Sequence, residues 1–137
     1  MNTLNTSLNP CVSLNDADLL AAGSPTGLAP WQERKVVRHI GEHLDRPISI
    51  GALAQIVGLS ANYFSRRFKG SFGVSPREYV IRSRLERAKT LMQQTGASLC
   101  QIALDTGFCD QAHMSRLFHA VVGSPPNRWR REQTLAA

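Results

Sequence analysis

Residues 64–68 read FSRRF and residues 114–118 read MSRLF, and each pentapeptide sits in a longer matching frame. At an offset of 49, Ser49, Ala54 and Gly58 match Ser98, Ala103 and Gly107. After a one-residue step in the turn the offset becomes 50. Ser65, Arg66, Phe68, Gly73 and Pro76 then match Ser115, Arg116, Phe118, Gly123 and Pro126, with Tyr79 opposite Trp129. Matches that keep caps, turn glycines and a serine-arginine pair in order mark a duplicated unit rather than two unrelated amphipathic helices. Each copy reads as a capped helix with a buried alanine, a glycine-containing turn and a second helix. That is the outline of a helix-turn-helix.

The surrounding sequence extends this reading. From Trp31 the apolar period is helical, with Val36, Val37, Ile40 and Leu44 at spacings of three and four and a stop at Pro47. Cap and stop signals predict further helices over Ser49–Val57, Ser60–Gly70, Ser75–Thr95, Ser98–Thr106, Asp110–Val122 and Pro125–Arg131. No segment alternates like a strand. The expected fold is all-α, a seven-helix bundle of two helix-turn-helix subdomains (31–74 and 96–132) joined by a linker helix (75–95). A flexible polar leader (1–30), with a helical turn or two near Asn15–Ala22, precedes them, and a short tail (133–137) follows. The linker buries Ile81, Leu85, Ala88 and Met92, while Arg82, Arg84 and Arg87 are placed to touch phosphate, with Glu78–Arg82 and Arg82–Glu86 at i,i+4 offering surface pairing as an equal alternative. At about 1.5 Å per residue it spans about 30 Å. Successive major-groove segments on one face of a duplex lie about 34 Å apart.

Charge is unevenly distributed. Residues 31–132 hold all sixteen Lys and Arg and eight of the ten Asp and Glu, whereas residues 1–30 hold only Asp16 and Asp18. A small basic domain attracts polyanions, nucleic acid foremost. No apolar run is long enough to cross a membrane. Residues 1–30 carry no Lys or Arg, so they lack the basic start of a secretory signal, and a soluble cytoplasmic protein is expected. Cys11, Cys100 and Cys109 are odd in number and far apart, which suits free thiols in a reducing compartment.

At about 100° per residue, Phe64 and Phe68 define the inward side of the first copy's second helix. Asn62, Ser65, Arg66 and Lys69 then face outward. In the second copy Met114 and Phe118 point inward, and Ala112, Ser115, Arg116 and His119 face out. Small, polar and basic groups on such a face suit base edges and phosphates, since arginine can bind guanine bidentately. A single copy would read more simply as a solvated face.

Residues from about 31 to 132 resemble the DNA-binding domain of the AraC/XylS family of bacterial transcription regulators. The resemblance rests on LAQIVGLSANYFSRRFKGSFGVSPREYV at 53–80, RLERA at 84–88 and QIALDTGFCDQAHMSRLFHAVVGSPPNRWR at 101–130. It implies two helix-turn-helix subdomains on a long helix, and base contacts from Asn62, Ser65 and Arg66 in the first reading helix. In the second it implies base contacts from Gln111, Ala112, Ser115 and Arg116. Ser60, Arg67 and Lys69 are the expected phosphate contacts. Met114 stands where the family usually has an aromatic, and Trp129 where it often has tyrosine, both still apolar. Ala112 offers only a methyl, for instance to thymine, which weakens readout by the second subdomain. Thirty polar residues cannot form the effector or dimerisation domain that most members carry. The chain therefore resembles the stand-alone members, or a fragment of a longer regulator.

Other chemistry finds little support. Cys100, Cys109, His113 and His119 miss the paired spacing of a zinc site, and His39 and His43 lack a third ligand, so no metal or other cofactor is expected. Cys109, just before a helix start, is placed for a lowered thiol pKa but reads more simply as a turn thiol. Trp31 and Trp129 read as core aromatics. Catalytic motifs such as G-x-S-x-G, a phosphate loop or H-E-x-x-H do not occur, so no enzyme is expected. The expected function is a sequence-specific, double-stranded DNA-binding transcriptional regulator with two reading helices in successive major grooves, bound as a monomer. The rivals are a module docking on RNA polymerase or a partner regulator with weak DNA binding, and an unselective nucleoid-type binder.

Overall fold

The computed structural model describes residues 26–136, and among these the chain forms seven helices and no strand. They are α1 (Pro30–Glu42), α2 (Ile50–Ile56), α3 (Ala61–Phe72), α4 (Pro76–Gln94), α5 (Leu99–Asp105), α6 (Gln111–Val122) and α7 (Pro126–Ala136). The turn foreseen near Asn15–Ala22 and the thiol of Cys11 lie outside the described residues. Two compact units divide the chain, residues 26–42 with 48–79 and residues 43–47 with 80–136. The long helix read as a linker contributes Pro76–Tyr79 to the first unit and its remainder, from Val80, to the second.

Five helices begin on a side-chain cap, α4 among them on Ser75, whose Oγ accepts the Glu78 amide at 3.1 Å. Ser49, Ser60, Ser98 and Asp110 are extended at φ/ψ, and their side chains accept the amides of Ala52, Tyr63, Gln101 and His113. Each bond satisfies one of the four amides a helix start leaves open. The seven-residue α2 and α5 are too short to persist alone, so packing of their apolar sides must hold them. Leu53 and Ala54 do this in α2, and Leu99, Ile102 and Ala103 in α5. Thr106, fully buried after α5, donates its hydroxyl to the Ile102 carbonyl at 2.7 Å, and its amide bonds the same oxygen at 3.0 Å.

In the first unit Leu28, Val36, Ile40, Leu53, Ala54, Val57, Phe64 and Phe68 are buried. The leader assignment of residues 1–30 needs correction at its end. Leu28 is 1% exposed, its amide donates to Ser71 Oγ at 2.7 Å, and α1 already starts at Pro30. Ser71 in turn hydrogen-bonds Glu33, so one hydroxyl ties residue 28 to α1 and α3. Gln32 adds a second tie, accepting from the Ala29 amide and donating to the Val57 carbonyl. The apolar period over α1 overreached in two places: Trp31 is 50% exposed and Val37 37%, because the buried side of the helix is centred on Val36 and Ile40. Leu44 is buried, but beyond the end of α1.

The second unit packs Leu85, Ala88 and Met92 of α4 against Leu99, Ile102, Ala103, Phe108, Met114 and Phe118. Ile81 and Trp129 are only partly buried against this cluster. The final helix runs to Ala136, five residues beyond the expected Arg131.

Gly107 is fixed by two constraints at once. Its φ is +87°, and a Cβ there would run into the Leu44 carbonyl oxygen and the Arg84 guanidinium. Gly51, by contrast, has open space around it. Gly107→Ala should therefore lower unfolding free energy by about 2–4 kcal/mol, whereas Gly51→Ala should raise it by roughly 0.5 kcal/mol. Urea denaturation measures both. Glu33 supplies a pH-dependent companion. Burial raises its pKa above the ordinary 4.5, opposed by the Ser71 hydrogen bond and by Arg34. The folded state thus holds this proton more tightly than the unfolded chain, and this group's contribution falls as pH rises from about 4.5 through the raised value. Glu33→Gln should gain stability relative to the parent between pH 4 and 7, read as a widening difference in denaturation midpoint.

Candidate nucleic-acid interface

Each unit presents a helix whose rotation is fixed by its buried side. In α3, Phe64 and Phe68 are 0% exposed, with ring centroids 5.7 Å apart. Phe68 stands edge-on to Tyr79 at 5.5 Å and stacks with Phe72 at 4.4 Å. In α6, Met114 and Phe118 are likewise 0% exposed, and Phe118 meets Trp129 edge-on at 5.7 Å. The duplication seen in sequence thus recurs as the same aromatic contact at the same place in both units. Gly73 and Gly123 close the two helices in the left-handed region, donating to the Lys69 and His119 carbonyls at 2.8 and 2.9 Å.

With the phenylalanines inward, the opposite faces are set. Asn62, Arg66 and Lys69 are exposed on α3, with Ser65 partly exposed among them. Ala112, Arg116 and His119 are exposed on α6, with Ser115 partly exposed. These sequence-chosen residues share one face on each helix. Gln111 stands apart. Three residues before Met114 and seven before Phe118, it lies on the buried side of α6 and is exposed only as the helix's first residue. Ser60 accepts the Tyr63 amide at 3.3 Å, so its hydroxyl serves as the cap of α3. Arg67 lies on the flank, partly exposed.

The two faces differ in charge. Between its caps α3 carries Arg66, Arg67 and Lys69 and no acid; α6 carries Arg116, His113 and His119 and begins on the Asp110 carboxylate. His113 is drawn to the turn before its helix, where its Nδ1 accepts the Cys109 amide at 3.4 Å and its ring meets Phe108 edge-on at 5.6 Å. Cys100 and Cys109 are exposed free thiols.

Sequence reasoning missed Tyr63 and Arg130 and misassigned Arg84. Tyr63 is 41% exposed, with the guanidinium carbons of Arg66 and Arg67 at 5.7 and 5.4 Å from its ring centroid. Its spacing of three and four residues from the arginines was the available signal. Arg84, read as a candidate phosphate contact, instead donates to the Leu44 and Arg46 carbonyls at 3.0 and 2.9 Å. This fork attaches residues 43–47 to the second unit, and burial lowers the pKa of the guanidinium, opposed by Cys109. Arg130 donates to the Met92, Ala97 and Thr95 carbonyls at 3.1, 2.7 and 2.6 Å, closing the carbonyl end of α4.

A helix-turn-helix domain family matches residues 53–132 of the chain. The probable transcriptional regulator LumQ of Photobacterium leiognathi is 33% identical over 107 residues, covering 72% of this chain and 43% of LumQ. An AraC-type DNA-binding-domain protein from Chromobacterium violaceum superposes with a TM-score of 0.69 at 31% identity, over 74% of this chain and 90% of that one. The DNA-binding domain of AdpA, solved in complex with a target DNA, gives a TM-score of 0.69 at 27% identity, over 72% and 89%. The chain thus spans less than half the length of LumQ.

The arginines therefore fall into two kinds, which stability measurements should separate. Arg130→Ala should cost about 2–4 kcal/mol, since charge-assisted bonds to otherwise open carbonyls are lost. Arg130→Lys should recover less than half, because an ammonium cannot reproduce the fork. Arg66→Ala, on an exposed face, should change unfolding free energy by less than about 0.5 kcal/mol.

Proposed function

Because the chain belongs to the AraC/XylS family of helix-turn-helix DNA-binding domains, we propose that it is a transcriptional regulator that reads double-stranded DNA with both helix-turn-helix units. The carrying observation is that Arg66 and Arg116 stand at the same position of two equivalent helices. Both are exposed on the side opposite a fully buried phenylalanine. In a major groove, that face offers bidentate donors to guanine from arginine, hydrogen bonds from Asn62, Ser65 and Ser115, and a methyl contact from Ala112. The capped start of each helix supplies a positive dipole end, and Arg67 and Lys69 supply cations for phosphate. Function here is binding, without a catalytic step. With two reading helices in one chain, the protein binds as a monomer to an asymmetric site of about 20 bp, one box per unit.

Selection from a randomised duplex pool at near-physiological salt tests this reading. The expected result is two short boxes centred roughly one helical turn apart. A module that only docks on RNA polymerase, or an unselective nucleoid-type binder, would return none. Arg66→Ala and Arg116→Ala should each relax base preference at one position, in different boxes, by about 1–3 kcal/mol. A uniform loss over all sequences would reassign them to phosphate.

A further inference from the structure

We infer that Tyr63 is a positioning residue of the first unit: its exposed ring is a platform that holds the Arg66 and Arg67 side chains in place before DNA arrives. This rests on the DNA-reading function proposed above and names a residue that sets its selectivity. Tyr63 is the third residue of α3, and its own amide is bound by Ser60 Oγ at 3.3 Å, so the cap fixes the backbone from which the ring projects. Tyr63 is 41% exposed, whereas the aromatic residues that serve the core of α3, Phe64 and Phe68, are 0% exposed. Its place therefore owes little to core packing. Both guanidinium carbons lie within 6 Å of the ring centroid, at 5.7 Å for Arg66 and 5.4 Å for Arg67. At that range the ring quadrupole attracts a cation.

The arrangement addresses a specific difficulty of arginine readout. A free arginine side chain samples many rotamers, and a bidentate contact to a base accepts few of them, so ordering it opposes binding. A ring three and four residues earlier on the same helix removes much of that freedom in advance. Arg66, on the outward face, is then held for a base edge, and Arg67, on the flank, for a phosphate. The second unit provides an internal control. At the duplicated position stands His113, whose Nδ1 accepts the Cys109 amide and whose ring meets Phe108. The residue matching Arg67 is Leu117. Arg116 therefore has a different neighbourhood, and any effect of Tyr63 belongs to the first unit's box alone.

Site selection with the full chain, Tyr63→Ala and Tyr63→Phe tests the platform, alongside thermal melting and the arginine δ-proton NMR shifts of the free protein. Tyr63→Ala should lower discrimination in one box by about two- to fivefold and weaken that box's affinity by a similar factor. The second box and the melting midpoint should stay near their parent values. Tyr63→Phe should behave as the parent, since the ring and not the hydroxyl is the platform. The ring-current displacement of the Arg66 and Arg67 δ-protons should be present in the parent and lost in Tyr63→Ala. An unchanged selection profile in Tyr63→Ala would overturn the inference. So would equal damage in Tyr63→Phe, or losses in both boxes together. A parent protein with the ring-current displacement but no preferred box would sink the DNA-reading function and leave the arginine contacts standing, which separates the two failures.

Discussion

Burial of one phenylalanine in each reading helix is the contact on which the candidate interface depends. Phe68 and Phe118 are 0% exposed, and each is met edge-on by the aromatic residue of the following helix, Tyr79 or Trp129. A helix has one rotational freedom about its axis once its ends are fixed, and a buried ring removes it. The residue two places earlier, Arg66 or Arg116, is then turned outward by geometry alone, since two helical steps rotate a side chain by about 200°. Caps and left-handed glycines set where each helix begins and stops, and the phenylalanine sets which way it faces. Core and interface are therefore two sides of one constraint.

Much of this was legible in the sequence because its causes are local. A serine or aspartate before an apolar period, and a glycine after it, mark helix ends through hydrogen bonds and backbone angles that involve only neighbours. Ser49, Ser98 and Asp110 cap the helices expected of them, and Gly58, Gly107 and Gly123 take the left-handed conformation after them, whereas α3 passes the expected Gly70 and ends at Phe72 before Gly73. What escaped was long-range. Leu28 sits in a polar stretch, and nothing nearby announces that its amide meets Ser71, 43 residues away. Trp31 looked like core by residue type, yet core membership follows the side of α1 on which Val36 and Ile40 lie.

The arginines illustrate the same limit. Composition makes Arg66, Arg84 and Arg130 equivalent cations. In the fold, Arg84 binds carbonyls 38 and 40 residues away, and Arg130 closes a helix end from 33 to 38 residues away. Net charge therefore overstates how many guanidinium donors can turn to a polyanion, although the charge itself remains. The chain's formal +6 includes two guanidinium groups already directed at its own backbone. Charge is also unevenly placed between the two outward helix faces, α3 being more cationic than α6.

The fork of Arg84 on Leu44 and Arg46 also bears on how such a chain can be cut and recombined. Residues 43–47 connect two helices of the first unit yet belong to the second. In sequence the units are interleaved, like two loops of thread sharing a stitch, although each repeats the other's plan. A segment excised at the start of the second unit, at Val80, would carry Arg84 away from the carbonyls it binds. The duplication is thus readable in the residues but no longer modular, and exchange of one reading head between relatives requires that the short connector after α1 be chosen to match the second unit.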